Sequence, residues 1–134
     1  MAISKKDFGE VLEETEIKTT SAVSPTWVYA AEVTAPGAGD TLVSKTVSAG
    51  KSGYIYGFFL TAGEANDFRI NWTSGGSSYS KRITFGSAGT IESIASVAMN
   101  EGFPADEETS ITITVVNAAG AGVAYQANLL YYEE

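Results

Sequence analysis

The chain contains no cysteine and no histidine among its 134 residues. Without cysteine there is no disulfide framework, thiolate metal site, iron–sulfur cluster or cysteine nucleophile. Without histidine the commonest general base and metal ligand are missing, and with them any Ser-His-Asp arrangement. Positive charge is also scarce: 8 Lys and Arg stand against 16 Asp and Glu, a net charge of −8. Phosphate backbones repel so acidic a chain, and no nucleic-acid partner is expected. Long apolar runs are missing too. The longest, Tyr54 to Leu60, is interrupted by Gly57. It falls far short of the ~20 residues of a spanning helix, so no membrane segment is expected. The opening Met1-Ala2-Ile3-Ser4-Lys5-Lys6-Asp7-Phe8 has no apolar core behind its lysines. No secretory leader is expected there.

What remains is 14 glycines, 44% apolar residues and abundant Thr, Val, Ile and Tyr. The length fits one domain with a tail, large enough to bury a core without a staple. Residues 1–25 read as a short helix and an arm, and residues 26–134 as the folded domain. The helix is expected over 4–14. Ser4 is its N-cap, Ile3 and Phe8 have the spacing of a hydrophobic staple, and Asp7 sits at the third helical position. Phe8, Val11 and Leu12 make one narrow apolar stripe. Gly9 costs this helix about 1 kcal/mol relative to alanine, and a helix this short is marginal unless it docks. The Thr- and Ser-rich stretch 15–25 has no clean period and reads as an extended arm.

From residue 26 onward the pattern is short strands broken by glycine. Segment 26–34 alternates with Trp27, Tyr29, Ala31 and Val33 on one face, and segments 41–48 and 54–62 follow. The last of these is apolar on both sides and reads as a central, doubly covered strand. Phe68, Ile70 and Trp72 alternate with Arg69, Asn71 and Thr73, and Ser74-Gly75-Gly76-Ser77 is a hairpin signal into 78–85. Segments 90–98, 109–117 and 123–132 complete the set. Ile111, Ile113 and Val115 share one inward face, as do Val123, Tyr125, Ala127, Leu129 and Tyr131. About eight strands at this spacing give an all-β antiparallel sandwich, first an eight-stranded jelly roll, with an immunoglobulin-like sandwich as the alternative.

Few groups remain for chemistry. Carboxylate pairs of the glycosidase kind are sought at Glu64 with Asp67, and at Glu101 with Asp106 to Glu108. All sit in turns, where acidic side chains commonly bond to nearby backbone. The same residues are hard-oxygen ligands of the type calcium takes, without the spacing of an EF-hand. Gly50-Lys51-Ser52 ends like a P-loop but has no glycine five residues earlier and no helix after it. Asn71-Trp72-Thr73 matches a glycosylation sequon inside a strand. The expectation is no enzyme, no metal and no other cofactor. Trp27, Tyr54, Tyr56, Trp72, Tyr79 and Tyr125 either fill the core or form a sugar-stacking platform, which keeps a carbohydrate- or cell-surface-binding module open. A subunit of an extracellular fibre is a further alternative.

A sandwich needs one buried face per strand. Segments 54–60 and 123–132 carry apolar residues on both, which points to a subunit interface through Tyr54, Tyr56, Phe58, Leu130 and Tyr132. The arm residues Phe8, Val11 and Leu12, with Trp27, are the candidates for docking on another partner. The stretches Gly53-Tyr54-Ile55-Tyr56-Gly57-Phe58-Phe59-Leu60, Asn66-Asp67-Phe68-Arg69-Ile70-Asn71-Trp72 and Ala124-Tyr125-Gln126-Ala127-Asn128-Leu129-Leu130, in an acidic, cysteine-free chain with a short arm, resemble the small jelly-roll decoration or cement proteins of tailed viruses. They also resemble minor structural proteins of icosahedral virus capsids. The resemblance implies a homotrimer seated on a capsid shell of the major capsid protein or a similar subunit, in the virion, without catalytic activity.

Overall fold

The computed structural model describes residues 24–94 and 102–134. The expected helix over 4–14 and the arm residues Phe8, Val11 and Leu12 lie outside the described residues. Ten strands follow one another: β1 (Thr26–Val28), β2 (Val33–Thr34), β3 (Thr41–Thr46), β4 (Gly53–Ala62), β5 (Asn66–Ser74), β6 (Ser77–Phe85), β7 (Gly89–Ile94), β8 (Phe103–Ala105), β9 (Ser110–Val115) and β10 (Ala124–Glu133). They form two antiparallel sheets packed face to face. The first runs β1-β10-β4-β7, with β2 also on β10 and β8 also on β4. The second runs β3-β9-β5-β6. The chain crosses between the layers repeatedly, so most neighbours within a sheet are distant in sequence.

The period-two pattern explains which side chains meet. Ile111, Ile113 and Val115 of β9, Phe68 and Ile70 of β5, and Tyr125, Ala127, Leu129 and Tyr131 of β10 are all buried between the sheets. Phe68 lies against Phe85 and Tyr125, ring centroids 5.1 and 5.8 Å away. The β5–β6 hairpin closes where expected, with Ser74 paired to Ser77. Gly75 and Gly76 both have positive φ, 58° and 78°, which only glycine adopts without strain in such a two-residue turn.

Two expectations are corrected. Segment 26–34 is not one alternating strand. The chain leaves the sheet between β1 and β2, and side-chain amides of β10 take over the backbone bonds there. Ala30 N–H donates to Asn128 Oδ1 at 3.2 Å, and Gln126 Nε2 donates to the Ala30 carbonyl at 2.9 Å. The break resets the alternation. Val28, Ala30 and Val33 pack on the core, whereas Trp27 faces away beside Leu130. Second, β4 is central but not covered on both sides, because Phe59 opens to solvent.

A bulge reconciles β4 with its two-sided composition. Leu130 pairs with Gly57 while Tyr131 pairs with Ile55, so Tyr56 is the extra residue. Bulges of this kind re-aim one side chain and restart the alternation. Ile55 and Leu60 therefore both reach the core, although an unbroken strand would place them on opposite faces. Tyr56 is buried beside Tyr132, and a Cβ at Gly102 would come within 2.7 Å of its ring.

Candidate functional site

The described carboxylates considered for catalysis or metal binding bond to backbone, hydroxyl or guanidinium groups of the fold. Glu64 Oε1 accepts from the Gly120 N–H and from the Tyr125 hydroxyl, both at 2.8 Å. Asp67 pairs with Arg82 at 3.3 Å. Asp106 accepts from the N–H groups of Gly75 and Gly76 at 2.8 Å each, tying its loop to the tip of the β5–β6 hairpin. Glu107 accepts from Gly50 N–H. Glu64 and Asp67 thus serve separate partners, and Glu101 lies outside the described residues. Among the described residues no three acidic, histidine or cysteine side chains gather as a metal site. Nor, among them, is any helix long and apolar enough to cross a membrane.

Glu133 is held most firmly. It accepts from the Tyr131 hydroxyl at 2.6 Å, the Ser48 hydroxyl at 2.7 Å and the Ser48 N–H at 3.1 Å. These bonds favour the ionised form, the tyrosine most of all, and bring the carboxyl down to about 2. Burial, and then the same carboxylate, push the Tyr131 hydroxyl up. The sign follows by linkage. A depressed carboxyl stabilises the fold fully above its ordinary value of 4.5, and the contribution is lost as pH falls toward about 2. The urea midpoint of Glu133→Gln should therefore lie below wild type at neutral pH and converge with it on acidification. A gap that stays constant with pH would remove Glu133 as an acid-labile tie.

The two outer faces of the sandwich differ in kind. On the second sheet, Arg69, Asn71, Ser80, Arg82, Thr112 and Thr114 form a bonded polar surface. Asn71 Nδ2 donates to Thr112 and Thr114 hydroxyls at 3.2 Å, and Ser80 donates to Asn71 Oδ1 at 3.0 Å. The Asn71 of the sequon is engaged in this ladder. On the first sheet the register aligns two apolar rows and one mixed row instead. Tyr132 stands opposite Tyr54, Trp27 opposite Leu130 and Leu130 opposite Gly57, Asn128 opposite Phe59 and Phe59 opposite Glu92. Gly57 is required by close approach, since a Cβ there would lie 2.2 Å from the Ser93 carbonyl oxygen. The far end of this face is polar throughout, with Gln126, Thr61 and Thr90.

Trp27, Tyr29, Phe59, Glu92 and Asn128 line an open hollow of about 390 Å³ on that face. Tyr29 is 76% exposed and Phe59 36%. A second apolar feature lies along the edge where β8 and β4 face the ends of β5 and β6. It is a cleft of about 440 Å³ walled by Ile55, Phe58, Ile70, Trp72, Ile83 and Phe103, with Lys81 beside them. Tyr79, Trp72 and Phe103 stack across the two sheets there, with centroids 5.8 and 5.9 Å apart. The outer rings of that stack are open: Tyr79 is 50% and Phe103 61% exposed.

The five residues expected at a subunit interface do not share one face. The Tyr54 and Tyr132 rings lie on the outer side, tilted with centroids 6.3 Å apart, and Leu130 faces the same side but is buried next to Trp27. Tyr56 is the buried bulge residue and Phe58 packs against the core. The six aromatics considered as a sugar platform are scattered: Tyr125 is in the core, Trp27 on the first sheet, and Trp72 with Tyr79 at the edge. Sequence reading missed Tyr29, Phe59, Glu92 and Phe103. Phe103 sits between Gly102 and Pro104, which reads as loop. Phe59 was obscured by its apolar neighbour Phe58. Comparison with family models, with curated proteins and with solved structures returns no match in any of the three.

Proposed function

We propose that this chain is a non-enzymatic structural protein of the virion that decorates or cements a capsid shell as a homo-oligomer, a trimer in the first instance. One observation carries the reading: the first sheet turns an apolar face outward while the second turns a hydrogen-bonded polar one. A sandwich buries only its inner faces to fold, so an outward apolar sheet is a surface for another protein. The engagement of the loop carboxylates with backbone and hydroxyl groups supports a role without turnover.

The strand order supports a jelly roll. β1 and β2 run successively along one edge of β10, and β7 and β8 along one edge of β4. Counting each such couple as one interrupted strand leaves eight in two four-stranded layers with the crossings of that fold. The resemblance carried by residues 53–60, 66–72 and 124–130 adds the virus shell as partner. The arm, with Phe8, Val11 and Leu12, is the segment that reaches it, and several arms per oligomer act with avidity.

Light scattering on the purified full chain tests the oligomer directly. The expected mass is a small multiple of 14.0 kDa, stable on dilution. A lone 14.0 kDa particle at all concentrations overturns the reading. Removal of residues 1–20 should leave the oligomer intact but abolish its binding to purified capsids. Full occupancy by the truncated protein would reject the arm's role.

A further inference from the structure

We propose that copies join edge to face: the Tyr79 and Phe103 rings of one copy, with Lys81 beside them, enter the hollow formed by Trp27, Tyr29, Phe59, Glu92 and Asn128 of the next. This rests on the homo-oligomer reading above and assigns the surfaces that make it.

Three observations converge. Both surfaces expose aromatic rings. One is a hollow of about 390 Å³ on the open face of the first sheet. The other is the rim of the edge cleft, where the half-exposed Tyr79 and Phe103 rings flank Trp72. Exposed aromatics seated in a pocket are the commonest anchors of protein interfaces.

The charges are complementary as well. Glu92 lines the hollow and Lys81 lines the edge. Among the described residues neither has an ion-pair partner within its own copy. Edge-to-face docking brings the two together. Face-to-face pairing of two hollows would instead bring together two patches whose only charge is Glu92, and like charges in a closing interface are costly.

Area points the same way. The face spans three side-chain rows on four strands, roughly 400 Å² from strand spacings. Two such faces pressed together bury about 800 Å² in total, the scale of adventitious contacts rather than the ~1,600 Å² of a stable pair. In edge-to-face docking every copy contributes both its face and its edge, so each is held by two contacts. The face and the edge point in different directions, so successive copies turn rather than stack in line. A head-to-tail contact closes as a ring when its turn divides the circle without an axial shift, three copies at about 120° or four at about 90°.

The test uses the full chain and reads mass by light scattering, with circular dichroism as the check on folding. Lys81→Glu and Glu92→Lys each should weaken assembly about tenfold or more, and the double swap should restore it. Lys81→Arg should assemble like wild type. A second pair of variants distinguishes the geometry: Tyr29→Asp blocks the face and Phe103→Asp blocks the edge. Each alone should be monomeric. Mixed one to one, they should form a complex of two copies and no larger, because one good edge and one good face remain. An oligomer unaffected by these substitutions, a mixture that stays monomeric, or a double swap that fails to recover overturns the edge-to-face contact while leaving the homo-oligomer standing. A monomeric wild type overturns both.

Discussion

Under the edge-to-face contact proposed above, Phe59→Asp is expected to convert the oligomer into 14.0 kDa particles with little change in the fold. Phe59 lies at the centre of the hollow, between Asn128 and Glu92 in the register of β10, β4 and β7. It is absent from the buried core, so its loss costs the single chain only the ~1 kcal/mol of a strand preference. In the assembly the ring is lost from the contact, worth about 1.5–3 kcal/mol of burial. A new carboxylate also stands beside Glu92 in a patch that must shed water, which adds to the cost. Together these weaken association on the order of 10²–10⁴-fold. Mass by light scattering and the thermal midpoint, taken on the same sample, check both halves. An unchanged mass would remove the hollow from the interface, and a collapsed midpoint would mean that Phe59 serves the fold.

The opposite result is expected at Phe68. Its side chain is fully buried in the middle of β5, between Phe85 and Tyr125. Phe68→Ala leaves a cavity where three rings meet, at a cost of about 3–5 kcal/mol. Against a total stability of ~5–15 kcal/mol for a domain of this size, that unfolds a large share of molecules at moderate temperature. The loss extends beyond the ring. Tyr125 is anchored on its far side, where its hydroxyl accepts from Asn66 at 2.9 Å and donates to Glu64 at 2.8 Å, so it cannot swing in to fill the gap. Urea denaturation should show a lower midpoint with an unchanged slope. A loss under about 1 kcal/mol would mean that the core closes over the gap.

Strand positions were legible where one side of the strand is polar. In β5 and β9, residues such as Arg69, Asn71, Thr112 and Thr114 alternate with Phe68, Ile70, Ile111 and Ile113, so the core face declares itself. The hairpin at Gly75-Gly76 was legible for a local reason, because two adjacent positive φ angles favour glycine. The candidate interface was only half legible. The surplus of apolar residues in β4 and β10 was visible, and Tyr54, Tyr132 and the buried Leu130 lie on the outer side of the first sheet. Phe58 and Phe59 were not separable, because apolar residues on both sides of a strand leave no marker of which side is buried. Segment 26–34 misled for another reason: its alternation is broken by side-chain amides that belong to residues almost a hundred positions away.

The sequence by itself determined that the described residues are built of strands, that the chain has no histidine or cysteine chemistry, and where its strongest alternations and its glycine turn lie. These are properties of neighbouring residues, set by local sterics and by side-chain chemistry. Only the tertiary structure decided the order of strands within each sheet, the bulge that turns Phe58 inward and Phe59 outward, and the meeting of Tyr79, Trp72 and Phe103 across two sheets. Each of those depends on which distant segments pair. That choice is made by the packing of the whole core, and no local pattern encodes it.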